Sequence, residues 1–139
     1  MRGTVNHGAS NVMRSVRLYA LIRIAFGVAA VVVPKTTGRA IAGDGEAGDS
    51  AAPLAKAFLR GMGGREIGLG LGLVTALRTG RALRPWLIVG ALADTVDTAA
   101  LGVASWRHST PAKRALVLGV PALTALAAAG LASRVPPTF

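Results

Sequence analysis

Four apolar runs separated by short polar connections predict an all-α fold, a four-helix transmembrane bundle with up-down topology. Three observations carry that expectation. The runs, at 18–33, 57–77, 85–105 and 115–133, approach the ~20 residues a helix needs to cross about 30 Å of hydrocarbon. Hydrophobic residues make up 52% of the 139 and the mean hydropathy is +0.51, more apolar than an ordinary soluble domain. The connections after the second and third runs are short, which makes those helices antiparallel neighbours.

Charge supports the same class. There are 16 Lys and Arg against 6 Asp and Glu, a formal net charge of +10. In a soluble protein that excess would point to nucleic acid. Here most basic residues flank the apolar runs, where they meet lipid headgroups, and they are not gathered with aromatics for base stacking. The expected partner is the lipid bilayer, and no nucleic acid is expected. The absence of Cys excludes disulfides, thiolate metal ligands and cysteine nucleophiles.

Residues 1–17 are polar, contain Arg2, Arg14 and Arg17, and read as a mobile basic arm ahead of a single membrane domain at 18–133. The first run, 18–33, is closed by Pro34 and interrupted by Arg23. Arg23 lies only one and a half turns inside, so it either snorkels to the nearer interface or partners buried carboxylates. A cleavable secretory signal ending near Ala40-Ile41-Ala42 is disfavoured, because Arg23 splits the apolar region and the site lies far beyond it. Residues 34–56 read as a loop rich in Gly, Ala and acid. The second run ends at the basic turn 78–84, and Pro85 suits the first turn of the third helix. Trp86 and Trp106 bracket that third run as interfacial aromatics do. The fourth run ends at 133, and 134–139 form a tail. Basic residues in the arm and in the 78–84 turn place both termini in the cytoplasm, with the plasma membrane as the expected location.

Charges inside the spans mark the candidate site. Arg60, Arg65 and Glu66 lie in the second run and Asp94 and Asp97 in the third. Each charge at a helix centre costs about 2.5–3.5 kcal/mol on insertion scales, so they should face one another. Counted from the same membrane surface, Arg65 and Asp97 both lie about 12 Å deep, which predicts an Arg65–Asp97 pair. Asp94 and Asp97 are three apart and share a helix face with Thr98. Arg65 and Glu66 point about 100° apart, so they should not serve the same neighbour. That leaves Glu66 and Asp94 as candidate catalytic carboxylates, with Arg23, Arg60, Arg65, Asp97 and Thr98 as candidate ligand-binding residues. Arg65 would oppose a divalent cation and no His lies within a span, so neither metal nor cofactor is expected. His7 and His108 fall in polar flanks and read as ordinary surface residues. Gly64, Gly68 and Gly72 recur every fourth residue and predict a groove that lets another helix approach.

The stretch Arg60-Gly61-Met62-Gly63-Gly64-Arg65-Glu66-Ile67-Gly68-Leu69-Gly70-Leu71, followed by Ala93-Asp94-Thr95-Val96-Asp97, resembles a family of small four-span membrane proteins of bacteria and fungi that carries the label domain of unknown function. The resemblance covers about residues 15–133. It implies a four-helix membrane fold and matches Arg65, Glu66 and Asp94 to the family pattern, with Asp97 outside it. In general shape the chain is also similar to DoxX-type four-span proteins. Neither resemblance supplies a reaction.

Three function classes follow. The first is a non-enzymatic binding or accessory protein whose charged centre is a structural network or holds an amphipathic ligand, with a lipophilic small molecule or a second copy of the chain as partner. The second is an integral-membrane enzyme with Glu66 or Asp94 as general acid or base on a lipophilic substrate. The third is a proton-coupled carrier working as a dimer.

Overall fold

The computed structural model describes residues 4–42, 53–105 and 111–135, and among these the only regular elements are helices. They are α1 (Thr4–Val32), α2 (Pro34–Ala42), α3 (Pro53–Thr79), α4 (Leu83–Ser105) and α5 (Pro111–Arg134). Three of the five begin at proline, where the missing N–H costs nothing and the fixed φ already suits a helix. Between α3 and α4 the chain reverses through Gly80 (φ 65°) and Ala82 (φ 59°). Gly80 N–H donates to the Ala76 carbonyl at 2.9 Å, which closes the end of α3 with the left-handed residue that only glycine adopts freely.

Two sequence expectations are corrected. Residues 4–17 are not a mobile arm, because α1 starts at Thr4, with Val16 fully buried and Val12 and Met13 packed on the core. No proline interrupts this stretch, and Val12, Val16, Tyr19 and Ala20 recur at three- to four-residue spacing, so the apolar face continues through the arginines beside it. The expected 34–56 loop begins instead as helix α2. Pro34 breaks α1, yet Val33 N–H still reaches the Ala29 carbonyl and Thr37 N–H the Val33 carbonyl, so the backbone keeps its hydrogen bonds through the junction. Trp106 and His108 lie outside the described residues.

Helices α1 and α3 pack antiparallel at backbone contact. Gly27 faces Gly63, and Ala20 faces Gly70 two turns away. A Cβ on Gly27 would sit 2.5 Å from the Gly63 carbonyl oxygen, and one on Gly63 would sit 2.6 Å from that of Gly27. The close approach therefore does not use the predicted groove: Gly64 and Gly68 face open space, and Gly72 receives the Trp86 indole. Helices α4 and α5 pair antiparallel, and Leu73, Leu83, Leu87, Ala128 and Ala132 join the long helices into one core beside Val16, Tyr19 and Ala20. Because Gly68 has no neighbour, Gly68→Ala is expected to stabilise α3 by about 0.5–1 kcal/mol through helix propensity, measured as a higher unfolding temperature in micelles. A loss of stability would place Gly68 at a contact.

Polarity runs opposite to that of a soluble domain. Val103 is 82% exposed and Leu126 69%, whereas Arg23 is 3% exposed and Asp94 4%. Large outward apolar surface of this kind needs an apolar surrounding. Among the described residues three helices, at Ala9–Val32, Leu83–Val103 and Val117–Arg134, are long and apolar enough to cross a membrane. The chain is a helical-bundle membrane protein.

Candidate functional site

The charged side chains meet where α1, α3 and α4 converge, and Arg23 stands at the centre. It projects from the α1 seam between Ala20 and Gly27, opposite Glu66, which lies between Gly63 and Gly70 on α3. Its Nη1 donates to Glu66 Oε2 and its Nη2 to Asp94 Oδ2. Nη2 also lies 3.4 Å from the Gly90 carbonyl oxygen. Gly90 is one turn before Asp94 on the same face, and a Cβ there would lie in van der Waals contact with the guanidinium, 3.4 Å away.

A second guanidinium extends the network outward. Arg65 grips Asp97 with two parallel bonds, Nη1 to Oδ1 at 3.0 Å and Nη2 to Oδ2 at 2.5 Å, and its Nη2 also donates to Glu66 Oε1 at 2.9 Å. The paired fork is the strong, directional form of this contact. Glu66 thus links the two arginines through its two oxygens. On the opposite side Tyr19 O–H lies 3.3 Å from Asp94 Oδ2 and 3.4 Å from the Thr124 carbonyl, and its ring lies 5.0 Å from the Arg23 guanidinium carbon. The single hydroxyl proton serves one acceptor at a time. The Nε atoms of Arg23 and Arg65 are buried without a hydrogen-bond partner among the described residues.

Exposure falls steeply along this chain. The Arg65 and Asp97 side chains are 35% and 24% exposed, against 3%, 8% and 6% for Arg23, Glu66 and Asp94. Two guanidiniums face three carboxylates, so the network has a formal surplus of one negative charge. The arrangement can lock three helices in register. Among the described residues no group of three His, Asp or Glu is placed to hold a metal ion.

The expected Arg65–Asp97 pair is present, and Glu66 and Asp94 are brought together through Arg23. Arg23 does not snorkel. Arg65 and Glu66 have separate neighbours as expected, Asp97 and Arg23, and in addition bond to each other. Arg60 takes no part in the network. It is exposed, with Nε 3.4 Å from the Val31 carbonyl oxygen. The Thr98 hydroxyl is spent on the Asp94 backbone carbonyl, 2.7 Å away, as mid-helix threonines often are. Sequence reasoning missed Tyr19 and Gly90. Each precedes a network residue by four, which was the available signal.

No protein-family model matches the sequence, and no curated protein or solved structure matches it.

Proposed function

We propose that the chain is a multi-pass protein of the plasma membrane with both termini in the cytoplasm, and that the Arg23 network is the structural keystone of a non-enzymatic binding or accessory protein. In this reading α1, α3, α4 and α5 all cross the bilayer. Helix α3 is the most charged of them, but Arg65 and Glu66 are neutralised by Asp97 and Arg23, which makes its insertion affordable. The resemblance to the four-span family belongs to this proposal and rests on Arg65, Glu66 and Asp94.

One observation carries the keystone role: the buried groups are consumed by one another. Both oxygens of Glu66 and both of Asp97 accept from guanidinium groups, and Asp94 accepts from Arg23 and Tyr19. Two grooves of about 310 and 280 Å³ open on the described surface, and no network residue lines either. A carboxylate acting as general acid or base needs a substrate beside it, so this packing favours structure over catalysis by Glu66 or Asp94.

The test replaces the buried triad as a unit. Substituting apolar residues for a whole buried ion network is often neutral, whereas deleting one member is not. The combined variant Arg23→Met, Glu66→Met, Asp94→Leu keeps the Arg65–Asp97 pair. It is expected to accumulate in membranes and to unfold within about 2 kcal/mol of the parent. A triple variant as unstable as Arg23→Gln alone would remove the keystone reading. The surplus negative charge and the partly exposed Arg65–Asp97 end favour a second reading, a proton-coupled carrier working as a dimer. It requires proton flux through the unaltered protein in liposomes, and zero flux eliminates it.

A further inference from the structure

Away from the network, a groove of about 310 Å³ runs between α4 and α5. Ile88, Leu92 and Thr95 line one side, Ala129 and Ala132 the other, and Arg84 stands at its end. From Arg84 to Thr95 the groove follows α4 for about 16 Å, close to the ~15 Å depth of one leaflet's hydrocarbon. The Thr95 hydroxyl is bonded to the Ala91 carbonyl at 2.7 Å, so the floor presents an apolar surface.

Among the described residues, charge at the Arg84 end is one-sided. Arg14 and Arg17 near the start of α1, Arg78 at the end of α3, Arg81 in the turn, Arg84 and the terminal Arg134 of α5 are all exposed at the same end of the bundle. The described acids Glu66, Asp94 and Asp97 are all engaged in the network, and none pairs with Arg84. An apolar channel one leaflet deep, opening at a cation, matches a lipid with an anionic headgroup.

We propose that this groove binds one anionic phospholipid, with its phosphate on Arg84 and one acyl chain lying along Ile88, Leu92 and Ala129 toward Thr95. A zwitterionic lipid fits the same channel but offers the arginines no net charge. The occupant is therefore selected at its headgroup and held by its chain. This site is separate from the Arg23 network, so its success or failure leaves the keystone reading untouched.

Native mass spectrometry of the purified protein with equimolar dioleoylphosphatidylglycerol and dioleoylphosphatidylcholine tests it. The unaltered protein should retain the anionic lipid about fivefold over the zwitterionic one, the preference one basic residue supplies near a membrane surface. Arg84→Gln should bring the ratio near one, Arg78→Gln should leave it, and Ala129→Trp should expel both lipids by filling the groove. Circular dichroism of each variant checks that the helices persist. The proposal is overturned if the unaltered protein has no preference, if Arg78→Gln and Arg84→Gln lower the ratio equally, or if Ala129→Trp retains lipid as before.

Discussion

Replacing Arg23 by Gln is expected to remove much of the protein's stability, and to do so far more than any single neutralised acid. Arg23 is 3% exposed and, among the described residues, is the only guanidinium touching Asp94. Its loss leaves Arg65 alone against three carboxylates. Deleting one partner of a buried ion pair costs about 3–5 kcal/mol, a large part of the ~5–15 kcal/mol that holds a domain together. Glu66→Gln is expected to behave differently. It leaves Arg23 with Asp94 and Arg65 with Asp97, two neutral pairs, and should cost about 1–2 kcal/mol from the lost bonds. The measurement is thermal and denaturant unfolding in micelles, together with the amount of folded protein recovered from membranes. If Glu66→Gln proves as damaging as Arg23→Gln, the charge surplus does not govern the network.

The reason Arg23 was ambiguous in the sequence is geometric. A run beginning at residue 18 puts Arg23 near a helix end, where snorkelling is cheap. Once α1 is seen to start at Thr4, with its apolar stretch beginning at Ala9, the same residue lies deep in the helix and has no such escape. The start of α1 was hidden because Arg14 and Arg17 sit beside Val12, Val16 and Tyr19, and their charge masked the periodicity. Helices α4 and α5 were legible from their long apolar runs, although α4 starts at Leu83 rather than 85, α5 starts at Pro111 rather than 115, and Asp94 and Asp97 interrupt the first of these runs. The Arg65–Asp97 pair was also legible, because equal depth in consecutive antiparallel helices follows from counting alone. Helix α2 was not, being short and polar with no apolar run behind it.

Glycine shows where counting fails. A four-residue spacing marks one face of α3 but does not say which face meets a neighbour, and the face carrying Gly64 and Gly68 is the outward one. The face that meets α1 carries Gly63 and Gly70, two turns apart with Glu66 between them. That position was fixed by the buried acid, which must turn inward and takes its flanking glycines with it. The charged network and the close helix contact are therefore two aspects of one seam.

That coupling sets the second large effect, which is expected at Gly27. A Cβ there would lie 2.5 Å from the Gly63 carbonyl oxygen and 2.9 Å from the Ile67 nitrogen, both rigid backbone atoms, so α1 and α3 must move apart. Overpacking a tight contact costs about 1–3 kcal/mol by itself. A Leu at this position would push further and draw Arg23 away from Glu66 across the same seam, adding part of the network's energy. Gly27→Leu should therefore approach Arg23→Gln in its loss of folded protein, with Gly27→Ala intermediate. Gly61→Leu, at a position with nothing within 4 Å, should unfold like the parent and controls for the leucine itself. Because both changes act on one contact, Gly27→Ala combined with Arg23→Gln should cost less than the sum of the two. Strict additivity would mean that the helix seam and the ion network are independent, and a Gly27→Leu protein as stable as the parent would mean that α1 and α3 do not meet there.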